Sequence, residues 1–194
     1  MLRIQDIAFE VDGQRSEFFA YIPQEPPGKQ SPGRLCWSLQ IYCMDKEDAR
    51  GFGTPYLETN DMTFDSRDWR MIEGQTARNE GGAGLTAYLH TPEPRKTSGN
   101  SIFFVSRRDN LFTVEWECSA DVCWDVEHSS GLPLRLDIEM AFNGVHIWWV
   151  KADAKGLTEV KELVGRHFDL ASLEEPQIAG PHHIVFPPRF KITT

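Results

Sequence analysis

The chain has 194 residues, with 20 Lys and Arg against 29 Asp and Glu, and its formal net charge is −9. This length and a composition of 40% hydrophobic and 25% charged residues predict one globular domain over residues 1–194, and they exclude a disordered or fibrous chain. The negative charge disfavours nucleic acids and anionic membranes as partners, because binding to phosphate groups depends on Lys and Arg.

The cellular location is predicted from the lengths of the apolar runs and the number of cysteines. No apolar run reaches the roughly 20 residues of a membrane-spanning helix, and residues 1–10 alternate where a signal peptide would carry an unbroken apolar stretch. Four cysteines in a chain of this size form no dense disulfide framework. The sequence therefore predicts a cytoplasmic protein with reduced thiols.

Alternation of apolar and polar residues, the pattern of half-buried strands, dominates the chain. In the first half it predicts strands over residues 4–11, 18–22, 35–44, 69–73 and 85–90. Polar segments rich in Gly or Pro separate them, and we expect long surface loops at residues 23–34, 45–55, 75–84 and 91–100.

A hairpin is predicted from residues 101–108 and 111–118, joined by a turn at residues 109–110. Because side chains alternate between the two faces of a strand, a regular register places Val105 on the buried face. The same register places Phe104 on the outer face, next to the acidic residues of the second strand.

The most regular alternation lies in residues 132–142, where every second residue is apolar. Asn143 and Gly144 follow, and this pair favours a type I′ turn because both residues tolerate positive φ. We therefore predict a second hairpin, in which residues 145–150 run back beside residues 132–142.

Helical periodicity is clear only near the C-terminus, where apolar residues share one stripe: Leu157, Val160, Leu163, Val164 and Phe168. Short strands at residues 122–127 and 184–186 bring the total to about ten. The predicted fold is mainly β: an antiparallel β-sandwich or strongly curved sheet with a C-terminal amphipathic helix near residues 157–168 packed on it. An α+β two-layer arrangement is the alternative.

Acidic and aromatic side chains collect on one outer face if the two hairpins share a sheet. The candidate catalytic residues are Glu115, Glu117, Asp137 and Glu139, and the candidate ligand-binding residues are Trp148, His146 and Phe104. Paired carboxylates are the groups that glycoside hydrolysis needs, and an aromatic ring stacks on sugars. The solvated face of a one-sided sheet produces the same pattern.

Metal, phosphate and nucleophile motifs are weak or missing. Cys118, Cys123 and His128 are spaced loosely like the ligands of a zinc site, with His182 and His183 as further candidates. Cys118 continues the apolar face of its strand, however, which favours packing, and we expect no metal and no cofactor. The sequence has no Gly-x-Ser-x-Gly motif and no phosphate-binding loop.

These observations favour a non-catalytic binding or interaction domain whose ligand is a small carbohydrate or a protein. The alternative is a carbohydrate-active hydrolase that uses two of the four candidate carboxylates. A third hypothesis is a homo-oligomer, in which exposed strand edges or Trp148 are buried against another copy.

Overall fold

A computed structural model describes residues 1–23, 34–45, 54–78, 85–91, 93–123, 128–148, 150 and 153–190, with only the backbone described at Cys123, His128 and Ala154. Over these ranges the chain is mainly β, with a C-terminal helix, as the alternation predicts. No helix in this part of the chain is long and apolar enough to cross a lipid bilayer.

The strands are β1 (Leu2–Ile4), β2 (Ile7–Phe9), β3 (Glu17–Tyr21), β4 (Cys36–Tyr42), β5 (Tyr56–Met62), β6 (Ala87–Thr91), β7 (Glu93–Lys96), β8 (Ser98–Arg108), β9 (Leu111–Cys123), β10 (His128–Trp148), β11 (Gln177–Gly180) and β12 (His183–Phe186). The α-helix is α1 (Ala154–His167), and two short 3-10 helices span Trp69–Met71 and Leu170–Ser172.

The strands form one mixed sheet that curls into a half-barrel, and β10 belongs to both of its halves. In the first half, β10 pairs with β9 and β1, and β8 and β2 complete the edges. In the second half, the order is β11-β12-β10-β3-β4-β5-β6-β7. The β3–β10 pair is parallel and the other named pairs are antiparallel, so the sheet is not purely antiparallel.

The predicted hairpin at Asn143 and Gly144 is wrong, because β10 continues through both residues as one strand. Gly144 has a φ of +103°, but Asn143 does not have a positive φ, so the pair does not form a type I′ turn. Against β3, the register shifts between Phe142 and Val145. This bulge carries β10 from the first half of the sheet to the second.

The alternation along β10 is confirmed even though its hairpin is not. The buried side chains are Leu134, Leu136, Met140 and Phe142, and the exposed ones are Arg135, Asp137 and Glu139. Beyond the bulge, Val145 and Ile147 are fully buried, while His146 and Trp148 are half-buried on the opposite face.

The hairpin of β8 and β9 is confirmed, but its register differs from the prediction. Phe104 lies opposite Val114, and the next pair is Ser106 with Thr113, so Val105 is an extra residue on β8. One extra residue reverses the faces of all residues before it. As a result Phe104 is fully buried, Val105 is 37% exposed, and the prediction of an outward Phe104 is wrong.

Other predicted elements differ in detail. Residues 69–73 were expected to form a strand, but a 3-10 helix begins after Asp68, whose carboxylate accepts a hydrogen bond from the Arg70 backbone N–H. The strand expected at residues 4–11 is divided, because β1 ends at Ile4 and a turn in which Gln5 has a φ of +55° precedes β2. Residues 91–100, expected as a loop, contain β7 and the start of β8.

Several sequence predictions fall on parts of the chain that the structure leaves undescribed. Most of the loops expected at residues 23–34, 45–55 and 75–84 lie outside the described residues, and so do residues 124–127 of the strand expected at 122–127. Strands β5 and β11 are described, and the alternation did not predict them.

The hydrophobic core fills the inside of the half-barrel. Phe142 lies at its centre, with ring centroids 5.5 Å from Phe18, 5.5 Å from Trp69 and 5.3 Å from Trp37. The predicted helix is confirmed as α1, and its stripe buries Val160 and Val164 in the same cluster, followed by Phe168. These core side chains therefore cover the inner face of the sheet in the described part of the chain.

Candidate functional site

The four candidate carboxylates lie together on the outer face of the first half of the sheet, as predicted. Asp137 lies directly opposite Glu115, and Arg135 lies opposite Glu117. Arg135 Nη1 is 3.8 Å from Glu117 Oε1, and Arg135 Nε is 3.4 Å from Asp137 Oδ2. All of these side chains, and Glu139, are exposed to solvent. Two of the four carboxylates thus already have a cationic partner.

The candidate ligand-binding residues do not join these carboxylates. Without the hairpin at residues 143–144, His146 and Trp148 do not fold back beside Asp137 and Glu139 but lie beyond the bulge, on the second half of the sheet. Phe104 points into the core. The predicted site is therefore divided between the two halves.

The outer face of the second half carries aromatic and hydrogen-bonding side chains on six neighbouring strands. We call it the polar aromatic face, and its residues are Phe19, Tyr21, Ser38, Gln40, Tyr42, Tyr56, Glu58, Asn60, Tyr88, His90, His146, Trp148 and His183. The opposite side of the same strands belongs to the core, because successive side chains alternate across a sheet.

A cluster of rings lies at one end of the polar aromatic face. His146 Nδ1 and His183 Nε2 are 3.3 Å apart, so that one ring donates a hydrogen bond to the other. Trp148 stacks on His183 with ring centroids 5.1 Å apart and an interplanar angle of 14°. Phe19 stacks on His146 with ring centroids 4.9 Å apart and an interplanar angle of 25°.

Burial keeps this histidine pair neutral near pH 7. It lowers the pKa of His146 to about 4, and the adjacent His183 lowers it further, against a hydrogen bond involving Asn143. Burial also lowers the pKa of His183, although Glu17 opposes the shift. Two neutral imidazoles beside Trp148 offer donor and acceptor nitrogens next to a flat apolar surface.

A second cluster surrounds Glu58 near the opposite end of the same face, on β5 and β6. Tyr56 Oη donates to Glu58 Oε2 at 2.7 Å, and Asn60 Nδ2 donates to the same oxygen at 3.2 Å. His90 Nε2 lies 3.1 Å from Glu58 Oε1. The side chains of Glu58 and His90 are 19% and 31% exposed, so both remain accessible from solvent.

Glu58 is ionised in this environment. Burial acts to raise the pKa of its carboxyl group, but the hydrogen bonds from Tyr56, Asn60 and His90 outweigh it and lower the pKa overall. The same arrangement raises the pKa of Tyr56, first through burial and then through its bond to Glu58. Tyr56 is therefore a fixed donor and Glu58 a fixed acceptor near pH 7.

Stacked rings extend this cluster along the sheet. The rings of Tyr42 and Tyr56 are 4.3 Å apart at 23°, and the guanidinium of Arg15 lies 4.6 Å above the Tyr42 ring. Towards β3 and the histidine pair, Ser38 Oγ donates to Asn60 Oδ1 at 2.7 Å, and Tyr21 Oη donates to the Asn60 backbone carbonyl. Hydrogen bonds thus run without a break from β3 to β6.

Sequence reasoning identified His146 and Trp148 on this face but missed the Glu58 cluster. The reason is that β5 was not predicted, because Thr59 is polar although it is buried and interrupts the apolar alternation. The available signal was the opposite set, Tyr56, Glu58 and Asn60, which places one aromatic and two polar residues at a spacing of two.

The loosely spaced zinc ligands are not brought together in the described residues. Cys118 is 7% exposed and packs in the core, whereas His183 lies on the second half of the sheet. The side chains of Cys123 and His128 lie outside the described residues. Among the side chains that are described, no group of three or more His, Cys, Asp or Glu could hold a metal ion.

No family model, curated protein or solved structure matches this chain. A functional conclusion therefore depends on the geometry of its own side chains.

Proposed function

We propose that this protein is a non-catalytic binding domain that holds a small carbohydrate on its polar aromatic face. The observation that carries the proposal is the Glu58 cluster, in which an ionised, partly exposed carboxylate lies beside the stacked rings of Tyr42 and Tyr56. A sugar ring presents hydroxyl donors at its edge and C–H groups on its faces, and this cluster offers a partner for each.

The rest of the face supports an extended ligand better than a single sugar. Tyr88, which is 38% exposed, lies opposite Glu58 on the neighbouring strand β6. At the far end, Trp148 and His183 form a second stacking surface. Donors and acceptors between the two ends are held in place by their mutual hydrogen bonds, which lowers the entropy lost on binding.

The alternative of a hydrolase has less support. The candidate carboxylates Glu115, Glu117, Asp137 and Glu139 are open to solvent, and Arg135 forms ion pairs with Glu117 and Asp137. A general acid needs a raised pKa, which requires burial or a neighbouring negative charge rather than a guanidinium.

Cytoplasmic residence is part of the proposal and is supported by the cysteines. Cys36, Cys43 and Cys118 are buried and unbridged, as is usual in a reducing compartment. The net charge of −9 makes nucleic acid an unfavourable partner.

Isothermal titration against a panel of soluble oligosaccharides tests the proposal. We expect saturable binding to a member of the panel that weakens at least tenfold in Tyr42→Ala and in Glu58→Gln, because a hydrogen bond to a charged group contributes about 1.5–3 kcal/mol. Glu115→Gln, on the first half of the sheet, is the matched control and should bind like the wild type.

The proposal fails if no oligosaccharide binds, or if Glu115→Gln weakens binding as much as Glu58→Gln. Reducing-sugar release by the wild type that Glu115→Gln or Asp137→Asn abolishes would favour the hydrolase instead. Circular dichroism of each variant checks that the fold is retained.

A further inference from the structure

A cavity lies away from the polar aromatic face, at an end of the half-barrel. It has a volume of about 570 Å³ and lies between the 3-10 helix Trp69–Met71, the turn of the β8–β9 hairpin and the C-terminal segment. Its lining residues are Asp68, Trp69, Arg70, Met71, Arg107, Asp109, Arg189 and Phe190. This volume is within the range of sites for small organic molecules, roughly 300–1,000 Å³.

Three arginines line this cavity, in a chain whose net charge is −9. Arg70 is neutralised by Asp68, with Nη2 and Oδ2 2.7 Å apart, and it also approaches Asp169. Arg189 Nε is 3.3 Å from Glu174 Oε1. These two guanidinium groups already have carboxylate partners.

Arg107 differs from the other two arginines. Its Nη1 donates to the backbone carbonyl of Asp109 at 2.6 Å, and no carboxylate among the described residues lies within ion-pair distance of its guanidinium, although its charge helps to lower the pKa of Asp68. Its Nε is buried and has no acceptor in the described part of the chain. The guanidinium carbon lies 5.4 Å from the Trp69 ring, which holds it over an apolar surface.

A guanidinium on a low-dielectric surface interacts strongly with an anion. The planar fork of arginine suits carboxylate and phosphate oxygens. Arg107 therefore provides an anchoring point for an anionic group that enters the cavity.

Two of the residues that line the cavity are apolar and exposed. Met71 is 63% exposed and Phe190 is 48% exposed, although both are large hydrophobic side chains. Burial of these side chains against an apolar ligand is favourable, because it removes apolar surface from water. An ion without an apolar part would leave these two side chains exposed to water.

We infer that the cavity binds a small organic anion, with its carboxylate or phosphate group on Arg107 and its apolar body between Met71 and Phe190. This site is independent of the carbohydrate surface, because none of its residues lies on the polar aromatic face. Either property can therefore fail without the other.

Isothermal titration with four probes tests the inference: phenyl phosphate, phenylacetate, inorganic phosphate and the neutral 2-phenylethanol. We expect phenyl phosphate or phenylacetate to bind at one site, more tightly than inorganic phosphate and 2-phenylethanol by at least about tenfold. Failure of both organic anions to bind overturns the inference. Equal binding by 2-phenylethanol or by inorganic phosphate also overturns it, because one half of the recognition would then be unnecessary.

Adjacent arginines provide a matched pair of variants. Arg107→Gln should weaken binding of the organic anion at least about tenfold, whereas Arg108→Gln, an exposed neighbour that does not line the cavity, should change it less than about twofold. Equal weakening in the two variants would mean attraction by net charge alone and would contradict the site.

Two further variants keep the test decisive if Arg107→Gln fails to fold. Arg107→Lys retains the positive charge but loses the planar fork, and it should still weaken binding severalfold. Phe190→Ala should weaken binding of the organic anions and leave the affinity for inorganic phosphate unchanged. Wild-type affinity in both variants would overturn the inference.

Discussion

Gly144 lies directly against the backbone of Phe186, so a Cβ atom at position 144 would overlap the Phe186 carbonyl oxygen. The two residues belong to neighbouring strands, and Gly144 also has a φ of +103°. Gly144→Ala therefore combines a steric overlap with an unfavourable backbone conformation. We expect a loss of about 2–4 kcal/mol in the free energy of unfolding, measured by urea denaturation.

Gly131→Ala is the control for this substitution. Gly131 has a φ of +64°, but a Cβ atom there would meet nothing within 4 Å. Gly131→Ala should lower the free energy of unfolding by only about 1 kcal/mol, the usual penalty for alanine at positive φ. Equal costs for the two variants would show that the close approach to Phe186 does not constrain the sheet.

The bulge at Val105 leads to a second prediction. Phe104 is fully buried, with ring centroids 5.0 Å from Phe18 and 5.1 Å from Phe64, whereas Val105 is 37% exposed. Phe104→Ala should lower the free energy of unfolding by about 3–5 kcal/mol, and Val105→Ala by less than about 1 kcal/mol. A larger loss for Val105→Ala than for Phe104→Ala would contradict the bulge and indicate a regular register in this hairpin.

Stability should depend on the ionisation of Glu58. Its pKa is lower in the folded protein than its ordinary value of 4.5, so the folded state gains stability above that pH and loses it as the pH falls through the folded pKa. The wild type should exceed Glu58→Gln in melting temperature near pH 7, and this difference should shrink as the pH falls below the ordinary pKa of 4.5 and through the lower folded pKa. A difference that stays constant with pH would contradict the ionised cluster.

His146 should produce a pH dependence at less acidic values. Its pKa falls from 6.5 to about 4 on folding, so the unfolded chain binds more protons and stability is lost as the pH decreases through this interval. We expect the melting temperature of the wild type to drop between pH 6.5 and pH 4 by more than that of His146→Gln. If the melting temperatures of the two proteins fell by the same amount over this interval, burial would not hold His146 in its neutral form.

The buried thiols should resist modification. Burial raises the pKa of Cys43 and of Cys118 to about 12, and their exposed fractions are 1% and 7%. Since the thiolate is the reactive form, a disulfide reagent at about pH 8 should label neither residue in the native protein and both in urea, as followed by peptide mass spectrometry. Rapid labelling of Cys43 without denaturant would contradict this prediction.

Many of the elements predicted correctly from the sequence have a pattern of apolar residues that lies within one continuous segment. Every second residue of 132–142 is apolar, and the structure buries or half-buries each of them. The stripe from Leu157 to Phe168 likewise predicted α1, because helical spacing alone brings its apolar residues to one side. Neither result depends on which other segment of the chain provides the partner.

The candidate site was predicted only in part. His146 and Trp148 do lie on a partly exposed face, yet their neighbours are Phe19, Tyr21 and His183 rather than Asp137 and Glu139. The difference arises because β10 pairs in parallel with β3, a strand more than one hundred residues earlier in the chain. Parallel pairing has no local turn signal, since its connection is long.

By itself the sequence determined the periodicity of its strands, the amphipathic helix and the separation of an apolar from a polar side, because these follow from the geometry of consecutive residues. Tertiary structure decided that Asn143 and Gly144 form a bulge rather than a turn, and that Glu58 meets His90 while Arg107 lines a cavity. Those outcomes depend on contacts between distant segments, and Gly144 accepts both a turn and a bulge because it has no Cβ atom.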